Sequence, residues 1–272
     1  MTQIDYAHLP NVTAAINYID KAVDKPEFYL FDPESGNRPP PPKVDKRQMS
    51  IYDLRQCMSL VSLDDNGFSF TLQHLAELNY HNQSMVRNEY YPMCAKLVQS
   101  ATGCREVYAF DHNVRETNER TEGVSPPVRN AHNDYTDESA PIRVRELMNE
   151  RADALLSKRY AFINVWRPLR GPVDTRPLAI CDAKSIHTTD FISADLRFPD
   201  RNGKIFSVRH NENHRWYYLG AMQNDEIVLI KCFDSVGGEI AKYTAHTSFH
   251  EPCDQQVAKG RKSIEVRTIA FF

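Results

Sequence analysis

The chain has 272 residues, with 33 Lys and Arg against 36 Asp and Glu, so its formal net charge is −3. Hydrophobic residues make up 41% of it, and 13 Phe, 13 Tyr and 2 Trp supply aromatic surface to bury, which excludes a chain disordered as a whole. The near-neutral balance argues against a dedicated nucleic-acid binder, which normally carries a basic excess, and apolar runs such as 227–230 and 268–272 fall far short of the roughly 18 residues of a membrane-spanning helix.

The N-terminus, Met1-Thr2-Gln3-Ile4-Asp5, lacks a basic stretch followed by an apolar one and does not read as a secretory signal. Six cysteines (Cys57, Cys94, Cys104, Cys181, Cys232 and Cys253) are scattered without a CxxC. They read as reduced thiols, and the chain as cytoplasmic.

Residues 27–31 and 49–54 alternate in the manner of strands. Between them Pro39, Pro40, Pro41 and Pro42 have no backbone N–H to donate and favour a stiff polyproline II crossing. Residues 84–102 carry a helical apolar pattern that ends at Gly103, a residue suited to a left-handed C-cap, and Pro92 predicts a break near the middle. Residues 142–156 give the strongest helical pattern, with Val144, Leu147, Met148, Ala152 and Leu155 at three-four spacing.

Beyond Leu156 the character changes to strands, at 160–166, 177–181, 204–209, 216–219, 226–233, 241–246 and 263–271. Turns are expected at Arg170-Gly171-Pro172 and Gly237-Gly238. The polar stretch 210–214 between two strand-like runs reads as an exposed hairpin turn. Such a succession predicts an all-β core, a double-sheet jelly roll or barrel, with flanking helices covering one sheet. The expected organisation is one domain over 1–272, with 1–103 as N-terminal arm and helical cover and 104–272 as core. The aromatic-rich arm around residues 29–31 suits the embrace of a second subunit in a homodimer.

Chance alone yields about one His-x-Asp/Glu pattern in a chain with 10 His and 36 acids, and this one has two, His132-Asn133-Asp134 and His210-Asn211-Glu212. Placement has to decide between them. In an extended segment residues i and i+2 share a face, so His132 and Asp134 can converge on one ion. His246, after the apolar strand 226–233, can supply a third ligand. Two imidazoles and one carboxylate leave three positions open for co-substrate and oxygen, an arrangement that suits non-haem Fe(II) oxygenases.

An oxygenase that uses 2-oxoglutarate also needs a cation for the far carboxylate, and a guanidinium binds it bidentately. Arg261, Ser263, Glu265 and Arg267 share one face of the last strand, opposite Ile264 and Val266. Arg261 with Ser263 is one candidate anchor and Arg267 a second. The plainer alternative is an exposed edge on which Glu265 pairs with Arg267. Asn164 and Trp166 alternate with Ile163 and Val165 and can line a cavity, core packing being the competing role for the tryptophan. Asn130 shares a face with His132 and suits a hydrogen bond to an imidazole or to the co-substrate. Tyr135 points to the core by parity, and Arg167 and Arg170, beside a proline turn, read as solvated.

Six stretches, VRNAHNDYT, FINVWRPLRGPV, FSVRHNENHRWYY, LIKCFDS, TAHTSF and RKSIEVRTIAFF, resemble in content and order a family of small oxidoreductases related to gibberellin desaturase and the aspergillic-acid hydroxylase. Its members are also labelled cephamycin hydroxylase/methyltransferase-like. The resemblance covers the chain from about Tyr108 to its C-terminus. It implies a double-stranded β-helix (jelly roll, cupin-like) and an Fe(II)/2-oxoglutarate-dependent dioxygenase that uses O2 to hydroxylate or desaturate a small secondary metabolite. No nucleic acid or membrane partner is expected.

The family's His-x-Asp matches His132 and Asp134, its distal histidine matches His246, and the R-x-S of related oxygenases matches Arg261 and Ser263. The 15 residues from His246 to Arg261 are long for that pattern and keep Arg267 a rival for 2-oxoglutarate. Two alternatives lie in other classes: a cupin-like metal-binding module or isomerase without 2-oxoglutarate, and a methyltransferase. The last lacks a glycine-rich loop between strand and helix.

Overall fold

The computed structural model of the chain describes residues 8–32, 36, 38–74, 78–117, 128–250 and 260–272. Its N-terminal half contains β1 (Asn11–Ile19), β2 (Glu27–Tyr29), β3 (Val44–Asp53), β4 (Phe68–Leu72), α1 (Gln83–Met85), α2 (Tyr91–Thr102) and β5 (Glu106–Glu116). Then follow β6 (His132–Asn133), α3 (Ser139–Met148), α4 (Ala152–Leu156), β7 (Tyr160–Pro168), β8 (Leu178–Cys181), β9 (Phe191–Arg197) and β10 (Asn202–Val208). The last four strands are β11 (Trp216–Tyr218), β12 (Glu226–Asp234), β13 (His246–Ser248) and β14 (Lys262–Phe271).

Two sheets result. One is five-stranded, in the order β4-β12-β7-β14-β5, and antiparallel throughout. The other is nine-stranded, in the order β1-β3-β11-β8-β13-β6-β10-β9-β2. It curls until β1 also bridges the chain at Asn130 and Arg209. The crossing over of sequential strands between two facing sheets is the jelly-roll arrangement.

Strand parity then sorts the side chains. Tyr160, Phe162 and Trp166 of β7, Val228 and Ile230 of β12, and Ile269 and Phe271 of β14 face Leu178, Ile180 and Tyr217 of the opposite sheet in one core cluster, which Ala140, Val144 and Met148 of α3 close. The alternate residues Ile163, Val165, Leu229, Ile264 and Val266 pack outward against Tyr91, Cys94 and Val98 of α2. Both faces of this sheet are therefore covered, and β14 is a buried interior strand, which overturns the alternative of an exposed edge.

Several expectations need correction. The helix expected over 142–156 is two helices, because Asn149 adopts a positive φ of 49° and a 3-10 turn (Asn149–Arg151) intervenes. It starts earlier, because Thr136 and Ser139 cap each other: Thr136 N–H donates to Ser139 Oγ at 2.9 Å and Ser139 N–H to Thr136 Oγ1 at 3.0 Å. The segment 84–102 is interrupted at a π turn (Val86–Tyr90) just before Pro92, and Gly103 caps it with φ 67°.

The expected hairpin of 204–209 with 216–219 does not form. β10 pairs with β9 and β6, while β11 pairs with β3 and β8. The stretch between them is not a free turn, because His214 is buried. Its Nε2 lies 3.1 Å from Asp190 Oδ2 and its Nδ1 3.3 Å from Tyr18 Oη, and Tyr18 Oη accepts from Trp216 Nε1 at 2.7 Å. Of the strand expected at 241–246 only His246 is extended into a ladder, in β13. Arg167 is buried rather than solvated, donating through Nε to Asn224 O at 2.9 Å and through Nη2 to Gln73 O at 3.0 Å. Cys57, Cys94, Cys104, Cys181 and Cys232 are free thiols, and Cys253 lies outside the described residues.

Candidate metal centre

The curl of the nine-stranded sheet sets two short strands side by side. His132 of β6 is directly paired with His246 of β13, and their ring centroids are 4.4 Å apart. Asp134 follows on the same face of the chain as His132, with Oδ1 3.5 Å from His132 Nε2. Among the described residues His132, Asp134 and His246 form the one metal-ligand group, one atom of each lying within 4.8 Å of the others.

β6 is only two residues long, so its placement rests on its flanks. Ala131 N–H donates to Asn17 O at 2.8 Å, and Val208 N–H donates to Ala131 O at 3.2 Å. Asn133 points away from the ligands by parity and is fully buried. Its Nδ2 donates to Tyr135 O at 2.6 Å and to Cys232 O at 2.9 Å, tying the ligand segment to β12.

Hydrogen bonds put each ligand in a metal-ready form. His132 Nδ1 lies 2.8 Å from Asn130 O. A carbonyl only accepts, so Nδ1 carries the proton and the lone pair is on Nε2, toward Asp134. Asn130 thus acts through its backbone. Burial, then the nearby His132, pushes the His246 imidazole down to about 3, so it is neutral at ordinary pH, and its Nδ1 is buried without a hydrogen-bond partner.

Burial alone would raise the Asp134 carboxyl, but the charge of Arg267 above all holds it well below the usual carboxylate range. Its Oδ2 accepts from Asn164 Nδ2 at 2.8 Å and from Arg267 Nε at 3.2 Å. Two imidazoles and an ionised carboxylate, with one imidazole nitrogen orphaned, fit a divalent ion of the Fe(II) type.

The last strand separates its two arginines. Arg267 is committed to carboxylates: Nη1 lies 2.8 Å from Asp111 Oδ2 and Nη2 3.3 Å from Glu265 Oε1, in addition to the bond to Asp134. Glu265 itself is raised by burial and by the Asp134 charge. Arg261 is different. It is 3% exposed, and Nη1 donates to Arg176 O at 2.7 Å. It makes no ion pair with a described residue, and its Nε, like Ser263 Oγ, is buried without a partner. Burial and the charge of Arg115 push its guanidinium down to about 9. The Arg261 guanidinium carbon is 5.4 Å from the Trp166 ring centroid, so Trp166 belongs to the surroundings of Arg261, and Asn164 to those of Asp134.

β5 adds residues that sequence reading passed over. Asp111, Asn113 and Arg115 pair with Arg267, Glu265 and Ser263 and so share their inward face. With its amide oxygen turned toward Arg267, Asn113 accepts from Nη1 at 2.7 Å and from Nη2 at 3.0 Å. The signal was polar residues at i, i+2 and i+4 in a strand whose intervening positions are His112 and Val114. Outside the ligands, a cleft of about 440 Å³ reaches Asp134 and Arg267, lined on its way by Phe110, Ile142, Leu196 and Phe198.

Known proteins resemble this chain over most of its length, at about a quarter identity. The profile of the oxidoreductase/YMDC permease-like domain matches residues 16–271. The Fe(II)/2-oxoglutarate-dependent dioxygenase nvfI of Aspergillus novofumigatus is 28% identical over 253 residues, covering 90% of each chain. The hydroxylase/desaturase efuI of Hormonema carpetanum is 25% identical over 288 residues, covering 97% of this chain and 96% of that protein. A solved structure of the iron and alpha-ketoglutarate-dependent endoperoxidase NvfI superposes with a TM-score of 0.90 at 25% identity, over 96% of this chain and 98% of that one.

Proposed function

The chain belongs to the oxidoreductase/YMDC permease-like domain family, and on that footing we propose that it is an Fe(II)/2-oxoglutarate-dependent oxygenase hydroxylating or desaturating a small, carbon-rich metabolite. In this reading His132, Asp134 and His246 hold the iron, and Arg261 with Ser263 anchors the far carboxylate of 2-oxoglutarate. The observation that carries it is the convergence of two imidazoles and a carboxylate, drawn from β6, the turn after it and β13, to within 4.8 Å. Relatives named as dioxygenases and hydroxylase/desaturases of fungi support it.

When bound, iron and 2-oxoglutarate supply the oxidising chemistry with O2. The chain's own residues prepare the site. His132 presents Nε2 because Asn130 O holds the proton on the other nitrogen. Asp134 stays ionised beside Arg267. Arg261 and Ser263 offer two buried polar atoms that lack partners, and a carboxylate would satisfy both. Arg267 has each of its three nitrogens on a carboxylate already, which leaves Arg261 as the anchor. The cleft that reaches Asp134 and Arg267 would admit and position the substrate.

The test is the anaerobic absorption spectrum of the protein with Fe(II), before and after 2-oxoglutarate. A weak visible charge-transfer band that needs both is expected in the wild type. It should be absent from Asp134→Ala, and from Arg261→Ala at the same 2-oxoglutarate concentration while iron still binds. Iron binding without the band would point to a metal module or an oxygenase with another co-substrate. No iron binding at all would sink the triad.

A further inference from the structure

The cleft that opens on Asp134 is lined by five acidic and five basic side chains, and their pairing says what kind of molecule it receives. Arg267 pairs with Asp134 and Asp111, Arg143 with Glu146 at 2.8 Å, Lys204 with Glu138, and Arg197 with Asp195 at 2.9 Å. Because Arg267 takes two of the five carboxylates, one of the five cations is left without one. Arg201, at the turn between β9 and β10, has no carboxylate within ion-pair distance among the described residues, Asp200 beside it included. Its guanidinium carbon instead stands 4.0 Å from the centroid of the Phe198 ring. A guanidinium stacked by its face keeps its in-plane N–H groups free for a bidentate acceptor.

The same cleft is lined with Phe110, Ile142, Leu196, Phe198 and Ile205, and Ile142 is left 54% exposed on α3. An exposed apolar side chain and an unpaired cation in one cleft are the complement of an amphiphile. We infer that the substrate class is a small apolar metabolite bearing a single anionic group, its carbon body against Ile142 and Phe198 and its anion on Arg201. The inference rests on reading this cleft as the substrate entrance of the proposed oxygenase.

The test uses two fluorescent probes on the full chain: 8-anilinonaphthalene-1-sulfonate, an aromatic body with one anion, and its neutral counterpart N-phenyl-1-naphthylamine. Arg201→Gln is expected to weaken the anionic probe about tenfold, as loss of a charge-assisted hydrogen bond does, and to leave the neutral probe within about twofold. Ile142→Glu should weaken both. Equal affinity of wild type and Arg201→Gln for the anionic probe, or binding of neither probe, would overturn the inference. Mn(II) added to the wild type should broaden the proton resonances of the bound anionic probe, and should not do so in Asp134→Ala. A probe held by Arg201 but untouched by Mn(II) would overturn instead the reading of the cleft as the entrance to the metal.

Discussion

Asp134 is gripped on the oxygen that faces away from His132: Asn164 and Arg267 both donate to Oδ2, at 2.8 and 3.2 Å, while His132 lies toward Oδ1. The grip orients Oδ1 for a metal, and it is made by residues that touch no metal themselves. Removing such an outer partner costs about 10–100-fold in metal affinity. Asn164→Ala should therefore weaken Mn(II) binding by about tenfold with Asp134 still in place, as followed by electron paramagnetic resonance of free Mn(II). An unchanged affinity would mean that Arg267 orients the carboxylate alone. The pairing of His132 with Asp134 was legible from parity along an extended segment. The bonds to Asn164 were not, because they join positions 30 residues apart in the chain.

The strand that carries His132 is too short to define its own position, and Asn133 supplies what the ladder cannot. Its amide holds the carbonyls of Tyr135 and Cys232 from inside the core. Asn133→Ala removes both bonds from a fully buried position and should cost about 2 kcal/mol, read from the urea midpoint, together with a loss of Mn(II) affinity as β6 loosens. A stability loss with unchanged metal affinity would show that the β10 and β13 ladders suffice to hold the ligands. Strands β7, β12 and β14 were legible because their apolar runs are long and sit between covered faces. β5 was not, because its inward face is built from Asp111, Asn113 and Arg115, which serve the site rather than the core. The hairpin expected around His210–His214 failed for a related reason: a buried His214–Asp190–Tyr18 network carries the chain to another part of the sheet.

Buried neutral histidines make the stability of the whole molecule pH-dependent. Burial lowers His214 below its ordinary 6.5 against the pull of Asp190, and burial likewise pushes His246 down to about 3. In the unfolded chain both take up a proton near 6.5; in the folded protein both do so only at lower pH. The unfolded state then binds more protons, so folding stability is full above 6.5 and declines as pH falls toward the folded values. The metal-free protein should have a lower urea midpoint at pH 5 than at pH 7, and His214→Gln should show a smaller difference between the two. An identical difference in the variant would mean that His214 is not among the groups that titrate on unfolding.

Composition excludes disorder, and alternation along the second half of the chain yields strands, an inward polar face on β14 and, near the middle, a His-x-Asp whose two side chains meet. Each of these depends on neighbours a few residues apart, where backbone geometry alone dictates direction. Three features have no local signature: the pairing of His246 with His132 across 114 positions, the commitment of Arg267 to Asp134, and the isolation of Arg261. They arise when the nine-stranded sheet curls and buries charges that water would otherwise screen. Only in that dry interior does it matter which guanidinium already has a carboxylate and which still lacks one.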